Sequence, residues 1–256
     1  MAQTTRLYLD QALETGLELS LGGDEATYLG RVLRLRIGDR IAVFNGRDGE
    51  FDAELTAFSK KAVALAIGER SVDPASAPTE SPLRLHIVQG ISRGERMDLV
   101  MQKLTELGVK RITPVLTQHG AVRLDEKRAG KRREHWERIA ISAAEQCGRL
   151  RPPLIDPVVD LNSWFGANLD RDSTQVVLDP WAATPFAELE PPATKLCMLI
   201  GPEGGLSEKE LEDARVAGFQ AVGFGPRVLR TETAAIAAAT LAQALFGDIG
   251  GREKGA

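Results

Sequence analysis

Apolar and polar residues alternate over the first third of the chain. The alternation occupies three runs, at residues 17–21, 51–57 and 63–67. A period of two residues predicts β-strands that bury one face, so this part of the chain is predicted to be mostly β. About 70 residues with several short strands favour a small closed barrel.

Two shorter signals refine the predicted barrel. Asp48-Gly49 lies between two apolar runs. This dipeptide tolerates the positive φ of a tight turn and therefore predicts a β-hairpin. Residues 25–33 predict one short helix, which we expect to plug the barrel and to present Arg31 and Arg34.

The pattern changes after residue 82, where strand-like and helix-like runs alternate. Apolar runs predict strands at residues 83–91, 111–117, 174–178, 196–200 and 221–224. Helical spacing predicts helices at residues 97–107, 131–147, 208–217 and 232–246. Strands that alternate with helices predict a parallel sheet of the α/β class.

A stretch with three prolines and several small polar residues, residues 71–82, separates the two patterns. This composition does not sustain helix or sheet and predicts a linker. We therefore predict four segments: a β-barrel domain at residues 1–72, a linker at 73–82, an α/β domain at 83–248 and a flexible tail at 249–256.

Composition excludes several classes of protein. The longest uncharged apolar stretch, residues 233–247, is shorter than the roughly 20 residues that span a bilayer, and no apolar segment follows the N-terminus as in a secretory signal. We therefore expect a cytoplasmic protein with no membrane partner. Cys147 and Cys197 lie too far apart for a metal-binding pair, and the three histidines lack metal-ligand spacing, so no metal is predicted.

The net charge of −4 hides a segregation of charge along the chain. Residues 31–47 contain five arginines and one acidic residue, and residues 93–151 contain fourteen basic and eight acidic residues. A partner responds to the local field rather than to the total charge, so these segments favour nucleic-acid binding. A helix with a solvated basic face is the alternative that charge alone leaves open.

Two glycine-containing loops follow predicted strands of the second domain. The first, residues 201–206, is followed by Ser207 and Glu210 at the spacing of a capping box, which predicts a helix start. The second, residues 225–230, is followed by Thr231, a predicted N-cap. Glycines allow the backbone to approach a ligand closely, although a tight turn would have the same composition.

Neither loop has the G-x-G-x-x-G spacing of a dinucleotide site or the G-x-x-x-x-G-K-[ST] spacing of a phosphate loop. The chain instead resembles the RsmE family of SPOUT methyltransferases in Ile-Gly-Pro-Glu-Gly-Gly-Leu-Ser at 200–207 and Gly-Pro-Arg-Val-Leu-Arg-Thr-Glu-Thr-Ala at 225–234. Further segments agree with this family, so the resemblance covers nearly the whole chain: residues 32–34, 38–39, 102–109 and 144–149.

The resemblance implies a fold and an activity. The fold is an N-terminal PUA-like β-barrel followed by a SPOUT α/β domain with a trefoil knot, in a homodimer. The activity is methylation of N3 of a uridine in the decoding region of 16S rRNA, on the small ribosomal subunit. The methyl donor is S-adenosylmethionine.

By the same resemblance, three loops hold the cofactor. The adenine is expected to be flanked by Leu178, Ile200, Val228 and Leu229. Gly201, Gly204 and Gly225 are expected to let the main chain approach the cofactor. Whether the carboxylate of Glu203 faces the ribose or solvent is left open. The expected cofactor-binding residues are Leu178, Asp179, Pro180, Ile200, Gly201, Pro202, Glu203, Gly204, Gly205, Phe224, Gly225, Pro226, Val228, Leu229 and Thr233.

The implied reaction needs help with a proton. Uracil N3–H is a weak acid, comparable to the tyrosine hydroxyl with a pKa of about 10, so forming its anion near pH 7 costs about 4 kcal/mol. Arg230 is the last residue of the second loop, directly after the expected cofactor-binding residue Leu229, and is expected to stabilise the developing charge. Either Glu145 or Glu232 is expected to act as the base.

Basic and polar residues of both domains are candidates for RNA contacts. They are Arg6, Arg31, Arg34, Arg93, Lys103, Gln146 and Arg149. The chain departs from the family at Arg93, where the family often has lysine. It also departs at residues 117–120, where the family usually has a Ser-Glu-Arg-Ser-like run, so His119 is left without a role.

Two other functions remain open at this point. A SPOUT enzyme could methylate another RNA position, such as a ribose 2′-hydroxyl. A protein with the barrel and the basic segments could also be a non-catalytic ribosome-assembly factor that binds RNA.

Overall fold

The computed structural model describes residues 4–33, 35–59, 62–120, 124–167, 170 and 172–250, without the side chains of residues 24, 31, 32 and 167. The chain folds into two compact units. The first contains Met1–Glu80 and Ala144–Arg151, and the second contains Ser81–Ala143 and Pro152–Ala256. None of the described helices is long and apolar enough to cross a bilayer.

The first unit is built on a five-stranded sheet. Its strand order is β1-β3-β4-β5-β2, with β1 parallel to β3 and the other pairs antiparallel. The described strands form a half-barrel with β1 and β2 at its edges, where the sequence predicts a closed barrel. The strands are β1 (Arg6–Tyr8), β2 (Glu18–Gly22), β3 (Arg40–Phe44), β4 (Glu50–Phe58) and β5 (Ala62–Val72).

The predicted hairpin and plug helix are both present in the first unit. Strands β3 and β4 pair as a hairpin, and Gly49 in its turn has φ of 103°. The plug consists of helix α1 (Gly23–Thr27) and a π-helix (Tyr28–Val32), where the sequence predicts one continuous helix. Leu29 of the plug is fully buried in the apolar core of the sheet.

The second unit contains a seven-stranded parallel sheet. Its order is β12-β10-β11-β6-β7-β8, and β9 also pairs with β7. The strands are β6 (Arg84–Gly90), β7 (Arg111–Leu116), β8 (Leu154–Ile155), β9 (Val159–Asp160), β10 (Thr174–Leu178), β11 (Lys195–Ile200) and β12 (Gln220–Val222). All five strands predicted in this part of the chain are confirmed to within three residues at each end.

Helices cover this sheet with two separate apolar clusters. One cluster joins the sheet to α2, α3 and α6, and the other joins it to α4 and α5. The helices are α2 (Arg96–Glu106), α3 (Glu126–Cys147), α4 (Leu161–Ala167), α5 (Glu208–Val216) and α6 (Thr231–Phe246), with a 3-10 turn at Phe186–Glu188. The helical pattern missed α4 because it is only seven residues long, although its Trp164 is buried.

Candidate functional site

A cavity of about 650 Å³ lies in the second unit, where the carboxyl ends of β10, β11 and β12 meet. Its volume is within the range of small-molecule sites, roughly 300 to 1,000 Å³. The three loops that follow these strands supply most of its wall. Loops at the carboxyl ends of adjacent parallel strands are where ligands bind in open α/β sheets.

The structure brings most of the predicted cofactor residues into this cavity. Gly225, Pro226 and Thr233 are the three predicted residues that do not line it. The predicted residues in its wall are Leu178, Asp179, Pro180, Ile200, Gly201, Pro202, Glu203, Gly204, Gly205, Phe224, Val228 and Leu229. Sequence reasoning missed other wall residues: Arg96, Trp181, Leu206, Leu211, Val222, Arg227, Thr231 and Ala234.

Two glycines of the first loop are required by packing inside the protein. A Cβ on Gly204 would lie 2.9 Å from both the Cβ and the carbonyl oxygen of His119. A Cβ on Gly201 would lie 3.1 Å from the backbone of Gly205. Both glycines thus have a packing reason to lack a side chain, and the expectation that they let the main chain approach a ligand stays a prediction. Gly225 has open space around it and a φ of 80°, which favours glycine at that position.

Thr231 joins the two glycine-containing loops. Its hydroxyl donates to the carbonyl oxygen of Gly201 at 2.7 Å and accepts from Nε2 of Gln89 at 2.9 Å. The N-cap of α6 is Arg230, so the prediction of Thr231 as the N-cap is wrong. The side chain of Thr231 is buried and is engaged by these tertiary partners instead of by the backbone of its own helix. The capping box of Ser207 and Glu210 at the start of α5 is confirmed.

Glu203 is held by basic residues of the neighbouring segment. Its Oε1 accepts from the backbone N–H of Arg93 at 2.9 Å and from the guanidinium of Arg96 at 2.5 Å. Burial acts to raise the pKa of Glu203, but these hydrogen bonds outweigh it and hold the pKa below its usual value. The carboxylate therefore stays ionised and anchored near the cavity wall.

Arg230 and Glu232, two of the residues expected to be catalytic, differ in whether their charged groups have partners inside the protein. Arg230 is exposed in the cavity wall and makes no ion pair within the described part of the chain. Glu232 is largely buried in the same wall, and its Oε1 lies 3.8 Å from Nε of Arg96. Its Oε2 is buried without a hydrogen-bond partner among the described residues. A buried carboxylate oxygen without a partner is costly and indicates a place for a ligand.

Comparison with known proteins identifies the family of the chain. An RNA methyltransferase domain model matches residues 79–243, and an RNA methyltransferase PUA domain model matches residues 21–68. Ribosomal RNA small subunit methyltransferase E of Buchnera aphidicola (subsp. Schizaphis graminum) is 34% identical over 95% of this chain and 97% of its own length. The protein of that name from Bacillus subtilis is 31% identical, over 88% of this chain and 89% of its own length. The chain belongs to the RsmE family of RNA methyltransferases.

Solved structures agree with this family assignment. A methyltransferase of Legionella pneumophila, solved with bound SAM, has a TM-score of 0.90 at 36% identity, covering 97% of this chain and 100% of that one. Ribosomal RNA small subunit methyltransferase E of Neisseria gonorrhoeae, bound to S-adenosyl methionine, has a TM-score of 0.87 at 35% identity, covering 96% and 100%. The resemblance drawn from the glycine loops is confirmed, and so is a fold with an N-terminal PUA-like sheet and a C-terminal α/β domain with a parallel sheet.

Glu145, which with Glu232 was one of the two residues expected to act as the base, lies in the first unit. Its Oε1 accepts from the backbone N–H of Tyr8 at 2.9 Å. Burial raises the pKa of Glu145, although the Tyr8 hydrogen bond and the charge of Arg6 oppose the rise.

Two of the arginines expected to bind RNA are buried in the first unit. Arg6 forms an ion pair with Glu50 at 2.7 Å and donates to the carbonyl oxygens of Ala144, Glu145 and Arg149. Arg149 is itself buried and pairs with Glu80 at 3.3 Å. The prediction of phosphate contacts by Arg6 and Arg149 is therefore corrected, because both guanidiniums are used inside the unit.

The other residues expected to contact RNA differ from Arg6 and Arg149 in their exposure and partners. Arg93 and Gln146 have exposed side chains, and Lys103 pairs with Glu106 at 2.8 Å. Arg34 and the side chain of Arg31 lie outside the described residues.

Within the described residues, no group of three or more His, Cys, Asp or Glu side chains could hold a metal ion.

A second polar cluster, which the sequence did not reveal, lies among the strands near their amino ends. Nε2 of His86 is 2.8 Å from Oγ1 of Thr113, whose hydroxyl donates to Asp156. Arg111 pairs with the same carboxylate at 2.7 Å, and Sγ of Cys197 is 3.7 Å from Nδ1 of His86. Burial, with help from Arg111, lowers the pKa of His86 to about 4. Each member of this cluster thus has a partner inside the protein.

Proposed function

We propose that this chain transfers a methyl group from S-adenosylmethionine to N3 of a uridine in 16S rRNA of the small ribosomal subunit. The observation that carries the proposal is the cavity, because loops recognised from the RsmE signature line it and two relatives of the same fold are solved with the cofactor. The names of the curated relatives support the small-subunit RNA as substrate.

The cavity wall fits the cofactor chemically. Apolar side chains from three loops, Leu178, Ile200 and Leu229 among them, can enclose an adenine ring. The unpartnered Oε2 of Glu232 provides a negative site for a cationic ligand. When bound, S-adenosylmethionine supplies a methyl group already activated by its sulfonium, so transfer needs alignment and no metal.

Methylation of uracil N3 requires a group of the protein that accepts the N3–H proton. We assign the base to Glu232, because it lies in the cavity wall, and not to Glu145, whose carboxylate is bound by Tyr8 in the first unit. The N3–H proton passes to the Glu232 carboxylate while the N3 electron pair forms a bond to the methyl carbon. The carbon–sulfur bond breaks, and its electron pair stays on sulfur, leaving a neutral thioether.

Arg230 has a separate role in this proposal. As N3 loses its proton, negative charge spreads to the uracil carbonyl oxygens, and an adjacent guanidinium stabilises it. The exposed side chain of Arg230 in the cavity wall, with no ion pair in the described chain, is available for this purpose.

The wider setting of the enzyme is part of the proposal. We expect a cytoplasmic homodimer with a trefoil knot, in which the PUA-like segment, residues 1–72, binds RNA, the linker at 73–82 connects it to the catalytic domain at 83–248, and a tail follows at 249–256. Arg31, Arg34, Arg93, Lys103 and Gln146 remain the proposed RNA contacts.

The test is methylation of small ribosomal subunits that lack the modification, followed by mass analysis of the nucleosides. We expect 3-methyluridine with the wild-type chain and at least a tenfold slower rate with Glu232→Gln, which keeps the shape of the side chain. A methyl group on a ribose would overturn the N3 assignment. Calorimetry with S-adenosylmethionine is the control, since a folded chain that binds no cofactor would favour a non-catalytic RNA-binding factor.

A further inference from the structure

Trp181 is a large aromatic residue left in solvent at the cofactor cavity. It lies in the wall of the cavity, in the loop after β10, and 84% of its surface is exposed. The other two tryptophans, Trp136 and Trp164, are each only 1% exposed. Tryptophan is enriched at binding interfaces, so its exposed place in the wall of a cavity makes Trp181 a candidate contact for a ligand.

The backbone around Trp181 is firmly held although its side chain is exposed. Its N–H donates to Oδ1 of Asp179 at 2.9 Å, and the N–H of Asp179 donates to the carbonyl oxygen of Val222 at 3.0 Å. The N–H of Ala182 donates back to the carbonyl oxygen of Asp179 at 3.1 Å. The ring is therefore presented from a fixed turn, so binding there loses little conformational entropy.

The charge at this cavity is mixed, because the carboxylates of Asp179, Glu203 and Glu232 line it together with arginines. Arg227 and Arg230 line the same cavity, and both side chains are exposed. Unpaired RNA bases stack on aromatic rings while adjacent cationic groups contact phosphates. The ring of Trp181 and the guanidinium of Arg227 match this combination, while Arg230 is assigned to the reacting uracil.

We propose that Trp181 is the ring on which an unpaired base of the RNA substrate stacks beside the cofactor cavity. This inference rests on the proposed function, because it takes the substrate to be RNA. It assigns Trp181 to substrate binding, whereas Glu232 and Arg230 act on the reacting atoms.

Fluorescence tests the stacking directly, because Trp181 is exposed and the other two tryptophans are buried. Acrylamide should quench one fraction of the emission of the wild-type dimer. Single-stranded uridine-rich RNA should quench the same fraction, and both effects should be lost in Trp181→Phe. If acrylamide cannot reach Trp181 before RNA is added, a second copy of the chain covers it and the inference falls.

Enzyme kinetics provide a second test. Trp181→Ala should raise KM for small ribosomal subunits roughly tenfold, the loss expected for one stacked base, while the affinity for S-adenosylmethionine measured by calorimetry is unchanged. Trp181→Phe should restore KM to within about threefold, because phenylalanine also stacks. Val216→Ala, at an 81% exposed position on α5, is the matched control for loss of an exposed apolar side chain.

The outcomes separate this inference from the proposed function. Methylation of subunits by Trp181→Ala with an unchanged KM would overturn the stacking role and leave the methyltransferase assignment intact. A loss of cofactor affinity with an unchanged KM for subunits would also overturn it, since Trp181 would then belong to the cofactor site. Quenching of Trp181 by RNA in a chain that methylates no subunits would support the stacking role and contradict the proposed function.

Discussion

Arginines have opposite surroundings in the two units of the molecule. In the first unit, Arg6 is only 8% exposed, pairs with Glu50 and places its guanidinium 4.2 Å from the centre of the Phe44 ring. At the cavity of the second unit, Arg227 and Arg230 are exposed. The same side chain thus stabilises the fold in one region and is free to meet a ligand in the other.

This difference shows why charge along a sequence is a weak guide to binding. Arg6 and Arg149 were expected to contact RNA because basic residues of both domains are candidates for phosphate contacts. Their guanidiniums instead satisfy carboxylates and carbonyl oxygens that burial would otherwise leave without partners. Oε2 of Glu232, which is buried in the cavity wall without a partner among the described residues, indicates a site more directly than charge does.

The largest expected effect tests the structural role of Arg6. Arg6→Ala should lower the free energy of unfolding by about 3 to 5 kcal/mol, because Glu50 and three carbonyl oxygens lose their donor inside the unit. Denaturant titration measures the change. Arg47→Ala, at a side chain that is 61% exposed, is the control and should change stability by no more than about 0.5 kcal/mol. Equal effects of the two substitutions would remove the contrast between buried and exposed arginines.

The second-largest expected effect tests the proposed catalytic role of Arg230, which contrasts with the structural role of Arg6. Arg230→Ala should lower kcat by roughly 100-fold to 1,000-fold, the range for loss of one group that stabilises developing negative charge. Cofactor affinity and stability should stay close to those of the wild type, because the side chain is exposed. Single-turnover methylation measures the rate, and Arg227→Ala controls for a general loss of positive charge at the cavity. A near-native rate in Arg230→Ala, with cofactor bound, would exclude the catalytic role.

Local signals and distant contacts differ in what the sequence could predict. The strands around the cavity and the loops at residues 201–206 and 225–230 were predictable, because each depends on a short apolar run and on glycines beside it. The carbonyl oxygens that accept from Arg6 lie about 140 positions away along the chain, and Thr231 bonds to Gly201 across 30 positions. Such contacts depend on the register of the whole fold, which no local pattern contains.

A third prediction concerns His86, which is satisfied inside the second unit as Arg6 is in the first. The folded pKa of about 4 lies below the unfolded value of 6.5, so the unfolded chain binds a proton that the folded chain does not. The resulting stability is present above pH 6.5 and is lost as the pH falls towards 4, by up to about 3 kcal/mol. Glutamine at position 86 cannot titrate. The free energy of unfolding of the wild type, relative to that of His86→Gln, should therefore decline as the pH falls from 6.5 towards 4. If the free energies of unfolding of the wild type and of His86→Gln change with pH in parallel, His86 is not buried as a neutral ring.

The smallest effect concerns Thr231, which links the glycine-containing loops within the cofactor region itself. Thr231→Val keeps the shape of the side chain but removes the hydroxyl, so the carbonyl oxygen of Gly201 loses a donor and Gln89 an acceptor. Stability should fall by about 1 to 3 kcal/mol, as expected when buried polar groups are left unpaired. Cofactor affinity, measured by calorimetry, should fall with it, because the first loop is then no longer tied to α6. Thr231→Ser retains the hydroxyl and should bind cofactor nearly as the wild type does. If valine and serine behave alike, this hydroxyl does not position the loop, and the cavity is held in shape by packing alone.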